Sequence, residues 1–182
     1  MVSELSLSDS RRDRIYVSLD LETTGLDAER DYIIEVGAVK FSESQVIDTF
    51  ESYVNPHGII PEFVQRLTGI SQEDVAKAPP FAVIAGQLVD FIGALPVIGH
   101  NIRFDINFLS KHGVDLDNPS YDTWDLATIL LPTNTEYSLP LLARDLGISI
   151  PRSHRALDDA HTARLLLLTL MERLDGIDPL IR

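Results

Sequence analysis

Asp20 and Glu22 stand two residues apart in Ile15-Tyr16-Val17-Ser18-Leu19-Asp20-Leu21-Glu22-Thr23-Thr24-Gly25. On a strand, residues i and i+2 project to one face, so the two carboxylates can share one cation. Val17, Leu19 and Leu21 then turn the other way and anchor the strand in a core. A further acid, Asp105, lies in Gly99-His100-Asn101-Ile102-Arg103-Phe104-Asp105, which follows a short apolar run and opens a helix with Asn101 as its natural N-cap. Ile102, Ile106 and Leu109 form an i, i+4, i+7 stripe that would hold Asp105 in a fixed place. The third group is His154, in a loop, and Asp159, in the first turn of the long apolar helix that follows.

Singly, each group has a plainer reading. Asp20 and Glu22 could decorate an exposed strand end, Asp105, Asp158 and Asp159 could complement helix N-termini, and His154 could be a surface imidazole. Together they place four acids and one histidine at strand ends and helix starts, where α/β sheets gather functional groups. Four hard oxygen donors without a thiolate suit Mg²⁺ or Mn²⁺, and carboxylates packed this closely repel one another unless a cation lies between them. An imidazole beside them can take a proton from water near neutral pH.

The elements that must position these groups follow from periodicity. A strand over Ile15 to Asp20 ends in a turn at Thr23-Thr24-Gly25, and β-rich runs at Ile33 to Phe41 and Val46 to Val54, separated by Ser42-Glu43-Ser44, form a hairpin, making three consecutive antiparallel strands. Helical pieces are expected at 61–67, from Ser71 with Asp74 as capping-box acid, and at 80–93. A brief strand at Pro96 to Gly99 precedes helices at 102–112, 122–131, 138–146 and 156–174, with a fifth strand near 120. The pattern describes an α/β domain with a mixed sheet flanked by helices.

The chain of 182 residues has 45% hydrophobic and 24% charged side chains, which fits one globular domain, read as 14–176 between a flexible leader at 1–13 and a C-terminal tail at 177–182. Without Cys there is no disulfide, thiolate metal site or cysteine nucleophile, and the cytoplasm is the expected compartment. No apolar run is long enough to span a bilayer, so no membrane partner is expected. The net charge of −13 argues against a long grip on a phosphate backbone, so a polyanion contact should be short and metal-dependent.

Asp20-Leu21-Glu22-Thr23-Thr24-Gly25-Leu26, His100-Asn101-x-x-Phe104-Asp105-x-x-Phe108-Leu109 and His154-x-x-x-x-Asp159 resemble, in order, the three motifs of the DnaQ-like DEDDh 3′-to-5′ exonucleases, the group of the DNA polymerase III epsilon subunit. Leu67-Thr68-Gly69-Ile70 resembles a weaker segment between the first two motifs, and the likeness runs from about Ile15 to Leu174. It implies a ribonuclease H-like fold with a five-stranded mixed sheet whose second strand is antiparallel to the rest. It also implies two Mg²⁺ or Mn²⁺ ions: Asp20 bridging them, Glu22 and Asp159 on the ion that activates water, Asp105 on the other, and His154 as general base. The same likeness sets Thr23, Thr24, Gly25, Leu26, Thr68, Asn101 and Phe104 around the terminal nucleotide. Backbone N–H groups of Thr23 and Thr24 would meet its sugar and phosphate, and Leu26 and Phe104 would meet the last bases, unless these two are core residues.

Ser138-Leu139-Pro140-Leu141-Leu142-Ala143-Arg144-Asp145-Leu146-Gly147 is closer to the epsilon-like and helicase-fused branches than to the oligoribonucleases, which makes single-stranded 3′ ends of DNA the first expected substrate. The chain would stand alone or belong to a longer polypeptide, with a polymerase or helicase as partner in trans or in the same chain. An RNA-trimming exonuclease, a phosphatase for small nucleotides and a non-catalytic docking module on the same fold stay open at this point.

Overall fold

The computed structural model describes residues 14–176, so the leader at 1–13 and the tail at 177–182 lie outside the described residues. Strand β1 (Tyr16–Thr23) alternates as expected. Val17, Leu19 and Leu21 enter a core with Val36, Ala38 and Leu88, while Tyr16 turns to the opposite layer against Phe41, Ala160 and Leu167. Each such buried aliphatic side chain contributes roughly 1.5–3 kcal/mol, enough to seat a strand whose other face carries repelling acids.

Strands β2 (Ile33–Phe41) and β3 (Val46–Tyr53) continue the antiparallel hairpin order. Helices α1 (Glu62–Thr68), α2 (Gln72–Ala76) and α3 (Phe81–Ile92) then cross to β4 (Val97–Gly99), which runs parallel to β1. Helix α4 (Ile102–Lys111) returns to β5 (Ser120–Asp122), the expected fifth strand, and α5 (Thr123–Leu130), α6 (Leu139–Asp145) and α7 (Ala156–Asp175) complete the described chain. The sheet order β3-β2-β1-β4-β5, with only β2 running against its companions, is the ribonuclease H-like arrangement.

The Ser71–Asp74 capping box forms: the Ser71 side chain accepts the Asp74 N–H and the Asp74 carboxylate accepts the Ser71 N–H. Asn101 corrects its expectation. It occupies the N-cap position of α4 with φ 62°, in the left-handed region, and its side chain makes no capping bond. Asparagine tolerates that backbone, and here the turn hands its N–H to the Asp122 carboxylate at 2.8 Å instead. Asp122 also caps α5 by accepting the Trp124 N–H at 2.9 Å, so one acid ties both helix starts together beside β4.

At Gly37 the helical layer rests closely on the sheet. A Cβ there would lie 2.2 Å from the backbone of Ala156 and Leu157, so the first turn of α7 rests directly on β2. Gly37 is also the cross-strand partner of Asp20. The missing side chain lets the residues at the start of α7 reach the acid on β1.

Candidate active site

The carboxyl end of β1 carries Asp20 and Glu22 on the face turned to α7, opposite Gly37 and Glu35 of β2. Asp105, in the first turn of α4, is buried, and its Oδ1 accepts the Leu21 N–H at 2.9 Å. That bond joins residues 84 apart in sequence and seats Asp105 at the peptide between the two strand acids. Asp159 is buried in the first turn of α7, and its Oδ2 accepts the His154 N–H at 2.8 Å. His154 adopts φ 59°, uncommon for a residue with a side chain. With that turn made, ligand atoms of Glu22, His154 and Asp159 lie within 4.8 Å of one another, the acid and imidazole group among the described residues that could hold a metal ion.

Burial acts on every acid of the cluster, and neighbouring carboxylates add to it. Desolvation first, then the charges of Asp105, Asp159 and Glu22, hold the Asp20 carboxyl well above its ordinary range. Desolvation, then Asp159, Glu35 and Asp105, push Glu22 up to about 8. Desolvation pushes Asp105 to about 8 against the opposing Leu21 hydrogen bond, and Asp159 to about 6 against the His154 N–H. Arg155 eases Glu22 only weakly, because its guanidinium is committed to Glu35. Carboxyls crowded in this way beside an imidazole have the chemistry of a divalent-cation site, and Glu22, His154 and Asp159 are close enough to share one ion.

A stability profile follows from these shifts. Unfolded, the acids titrate near 4, whereas in the folded metal-free protein Glu22, Asp105 and Asp159 titrate near 8, 8 and 6. Between those limits the native state binds more protons than the unfolded one, so stability falls as pH rises. In chelator the thermal midpoint should drop between pH 5 and pH 8.5, and saturating Mg²⁺ or Mn²⁺ should remove most of the drop. A chelated profile that is flat, or that divalent ions leave unaltered, would contradict the cluster.

The residues expected around the substrate separate into two groups. Thr24 is a correction: its N–H donates to the Tyr32 carbonyl at 2.8 Å and its buried hydroxyl accepts the Tyr32 N–H at 2.9 Å, so neither is open to a phosphate. The Thr68 hydroxyl donates to the Val64 carbonyl and accepts the Ile70 N–H, closing the end of α1. The Thr23 hydroxyl donates to the Gly25 carbonyl at 2.6 Å. Gly25 leaves room for Asp31, whose carboxylate would meet a Cβ there at 2.3 Å. This self-bonded loop presents Leu26, 87% exposed and so no part of the core. Phe104 is half-buried, its ring 4.7 Å from that of Phe108, and Asn101 is exposed at the mouth of α4.

Glu35 and Arg155 belong to the site, and spacing in the sequence did not point to them. Glu35 is fully buried, takes three hydrogen bonds from the Arg155 guanidinium at 2.7 to 3.2 Å and accepts the Ala156 N–H at 2.9 Å. It clamps the chain between His154 and the start of α7 onto β2. The available signal was an acid inside the apolar run Ile33-Ile34-Glu35-Val36-Gly37-Ala38-Val39.

A ribonuclease H-like sheet with acids gathered at the end of its central strand, and an imidazole at their edge, defines a class: hydrolases that work on phosphate esters. Within that class the chain belongs to the RNase_T exonuclease family, whose sequence pattern matches residues 17–167. It is 37% identical over 168 residues to a PolC-type DNA polymerase III of Clostridium perfringens, an alignment covering 90% of this chain and 12% of that protein. It is 35% identical over 168 residues to the 3′-5′ exonuclease DinG of Staphylococcus aureus, covering 89% of this chain and 19% of that protein. The chain thus spans less than a fifth of either relative. Among solved structures, exonuclease X in complex with 5′ overhanging duplex DNA has the same fold, with a TM-score of 0.75 at 23% identity over 90% of this chain and 94% of that one.

Proposed function

We propose that this chain removes nucleotides from the 3′ end of a DNA strand, hydrolysing the terminal phosphodiester to release nucleoside 5′-monophosphates. The observation that carries the reading is the convergence of three distant segments: the Asp105 carboxylate on the Leu21 N–H, and Asp159 and His154 within 4.8 Å of Glu22. Membership of the exonuclease family supports it, and the DNA-directed relatives favour DNA over RNA.

Asp20, Glu22, Asp105 and Asp159 would hold two Mg²⁺ or Mn²⁺ ions, which when bound stabilise charge on the phosphate and favour ionisation of water. The remaining work falls to the chain. His154 accepts the proton of the attacking water, and its ring is aimed by the backbone bond to Asp159 and by the Arg155–Glu35 clamp on the next residue. Leu26 and Phe104 offer apolar surface to the last bases, and Asn101 an exposed amide to the sugar–phosphate backbone. The PolC-type and DinG relatives support a role in DNA replication or repair, including proofreading, in the cytoplasm and with a polymerase or helicase alongside or in the same polypeptide. Among the described residues no helix is long and apolar enough to cross a membrane.

The test is a time course on 5′-labelled single-stranded, 3′-recessed and mispaired DNA, with a matched RNA strand. With Mg²⁺ or Mn²⁺ the label should step down one nucleotide at a time, fastest on single-stranded or mispaired ends, and EDTA should stop it. Immediate release of labelled mononucleotide, or shortening that persists in EDTA, would overturn the reading.

A further inference from the structure

Beside the catalytic cluster lies a second cavity, of about 350 Å³, that the chemistry above does not use. One wall is the end of α1 and its cap, with Arg66, Leu67 and Gly69; the other is the loop before α7, with Arg152, Ser153 and Arg155. Three of the chain's 15 basic residues therefore line one cleft of a protein carrying 28 acids. Ser153 and Arg155 flank His154 in sequence, so the cleft and the acidic cluster share the same loop as a wall.

We propose that this cleft binds the internucleotide phosphate next to the one being cut, through the guanidiniums of Arg66 and Arg152; the proposal rests on the exonuclease reading. Arg155 is locked on Glu35 and lends the cleft field rather than donors. The other two guanidiniums are exposed to water. Arg66 donates to Glu62 one helical turn away at 2.6 Å, but in full contact with water at side-chain exposures of 67% and 83%, and Arg152, 72% exposed, lies 3.6 Å from Asp158, beyond hydrogen-bond length. Exposed pairs of this kind contribute little, so both guanidiniums can turn to a stronger, bidentate acceptor such as a phosphodiester. With the Thr68 hydroxyl closed on α1, Arg66 is the side-chain donor that reaches a ligand from that wall, and Arg152 reaches it from the other. A strand would then touch this acidic protein at two places: its scissile phosphate at the carboxylate cluster and a neighbouring phosphate here. That short grip is the kind the net charge permits.

The experiment compares wild type with Arg66→Ala, Arg152→Ala and the double variant on two substrates. One is a short oligothymidylate, and the other is thymidine 5′-(p-nitrophenyl phosphate), which has one phosphodiester and no neighbour to bind. Binding of a labelled oligothymidylate in Ca²⁺ is followed by fluorescence anisotropy across a salt series. The ratio of kcat/KM for the oligomer to that for the nitrophenyl ester should fall about tenfold or more in the double variant. Its plot of log affinity against log salt should flatten by about 0.7 for each phosphate that is no longer neutralised. An unchanged ratio and salt slope, or equal decreases on both substrates, overturns the cleft. A wild type that binds the oligomer but hydrolyses neither substrate overturns the exonuclease reading instead, while the anisotropy of the variants still decides the cleft.

Discussion

Asp20→Asn should lower the rate of 3′-terminal cleavage by on the order of 10³-fold or more and at the same time raise the thermal midpoint of the metal-free protein. The two effects have one cause. The Asp20 carboxyl is raised by burial and by the charges of Asp105, Asp159 and Glu22. Asparagine keeps the shape and removes the charge, so the remaining acids lose a repelling neighbour. About 1 kcal/mol relieved moves the midpoint of a domain of this size by roughly 2–4 °C. The same missing charge weakens the grip on divalent ions, so added Mg²⁺ should stabilise the variant less than the wild type. Calorimetry with and without chelator, beside the cleavage assay, tests both halves. Retained activity would remove Asp20 from the site, and abolished activity with a lowered metal-free midpoint would mean that the substitution had damaged the fold.

That prediction uses the part of the site that is local in sequence. Asp20 and Glu22 on one strand face, and His154 with Asp159 at a helix start, follow from spacing alone, and so do the hairpin and most helices, because each is set by a window of a few residues. What spacing cannot carry is partnership between distant segments. Nothing near Asp105 in the chain announces that it accepts the Leu21 N–H, and nothing near Thr24 announces that Tyr32 occupies its N–H and hydroxyl. Asn101 misled for a related reason: the residue type suits an N-cap, but the same residue type tolerates a left-handed backbone, and Asp122 from another segment decided between them. The order of the sheet came from family resemblance, since pairing of β1 with β4 joins strands separated by the whole of β2 to α3. Leu26 could not be told from a core residue until its exposure distinguished it, whereas Phe104 is half-buried and packs against the core.

The clamp on α7 yields the second large effect. Glu35→Ala leaves the Arg155 guanidinium, whose side chain is 18% exposed, without its bidentate partner and the Ala156 N–H without an acceptor. Breaking a buried pair from one side costs up to about 3–5 kcal/mol, because the remaining charge stays out of water, and here Glu51, 3.6 Å from the guanidinium, offsets part of it. Glu35→Gln can still accept the Ala156 N–H and should cost less, yet it no longer holds Arg155 and so loosens the residue that follows His154. Its kcat should fall about 10- to 100-fold, as for other residues that orient ligands without touching substrate, with little change in KM. Removing both partners, Glu35→Ala with Arg155→Ala, should be less destabilising than the two single effects added, because the buried Glu35 charge that Arg155→Ala alone would leave unpaired is gone. Denaturant midpoints of the four proteins measure that coupling. Additive effects would show that Glu35 and Arg155 do not act as one unit, and a Glu35→Gln enzyme with unaltered kcat would show that the clamp serves the fold without aiming His154.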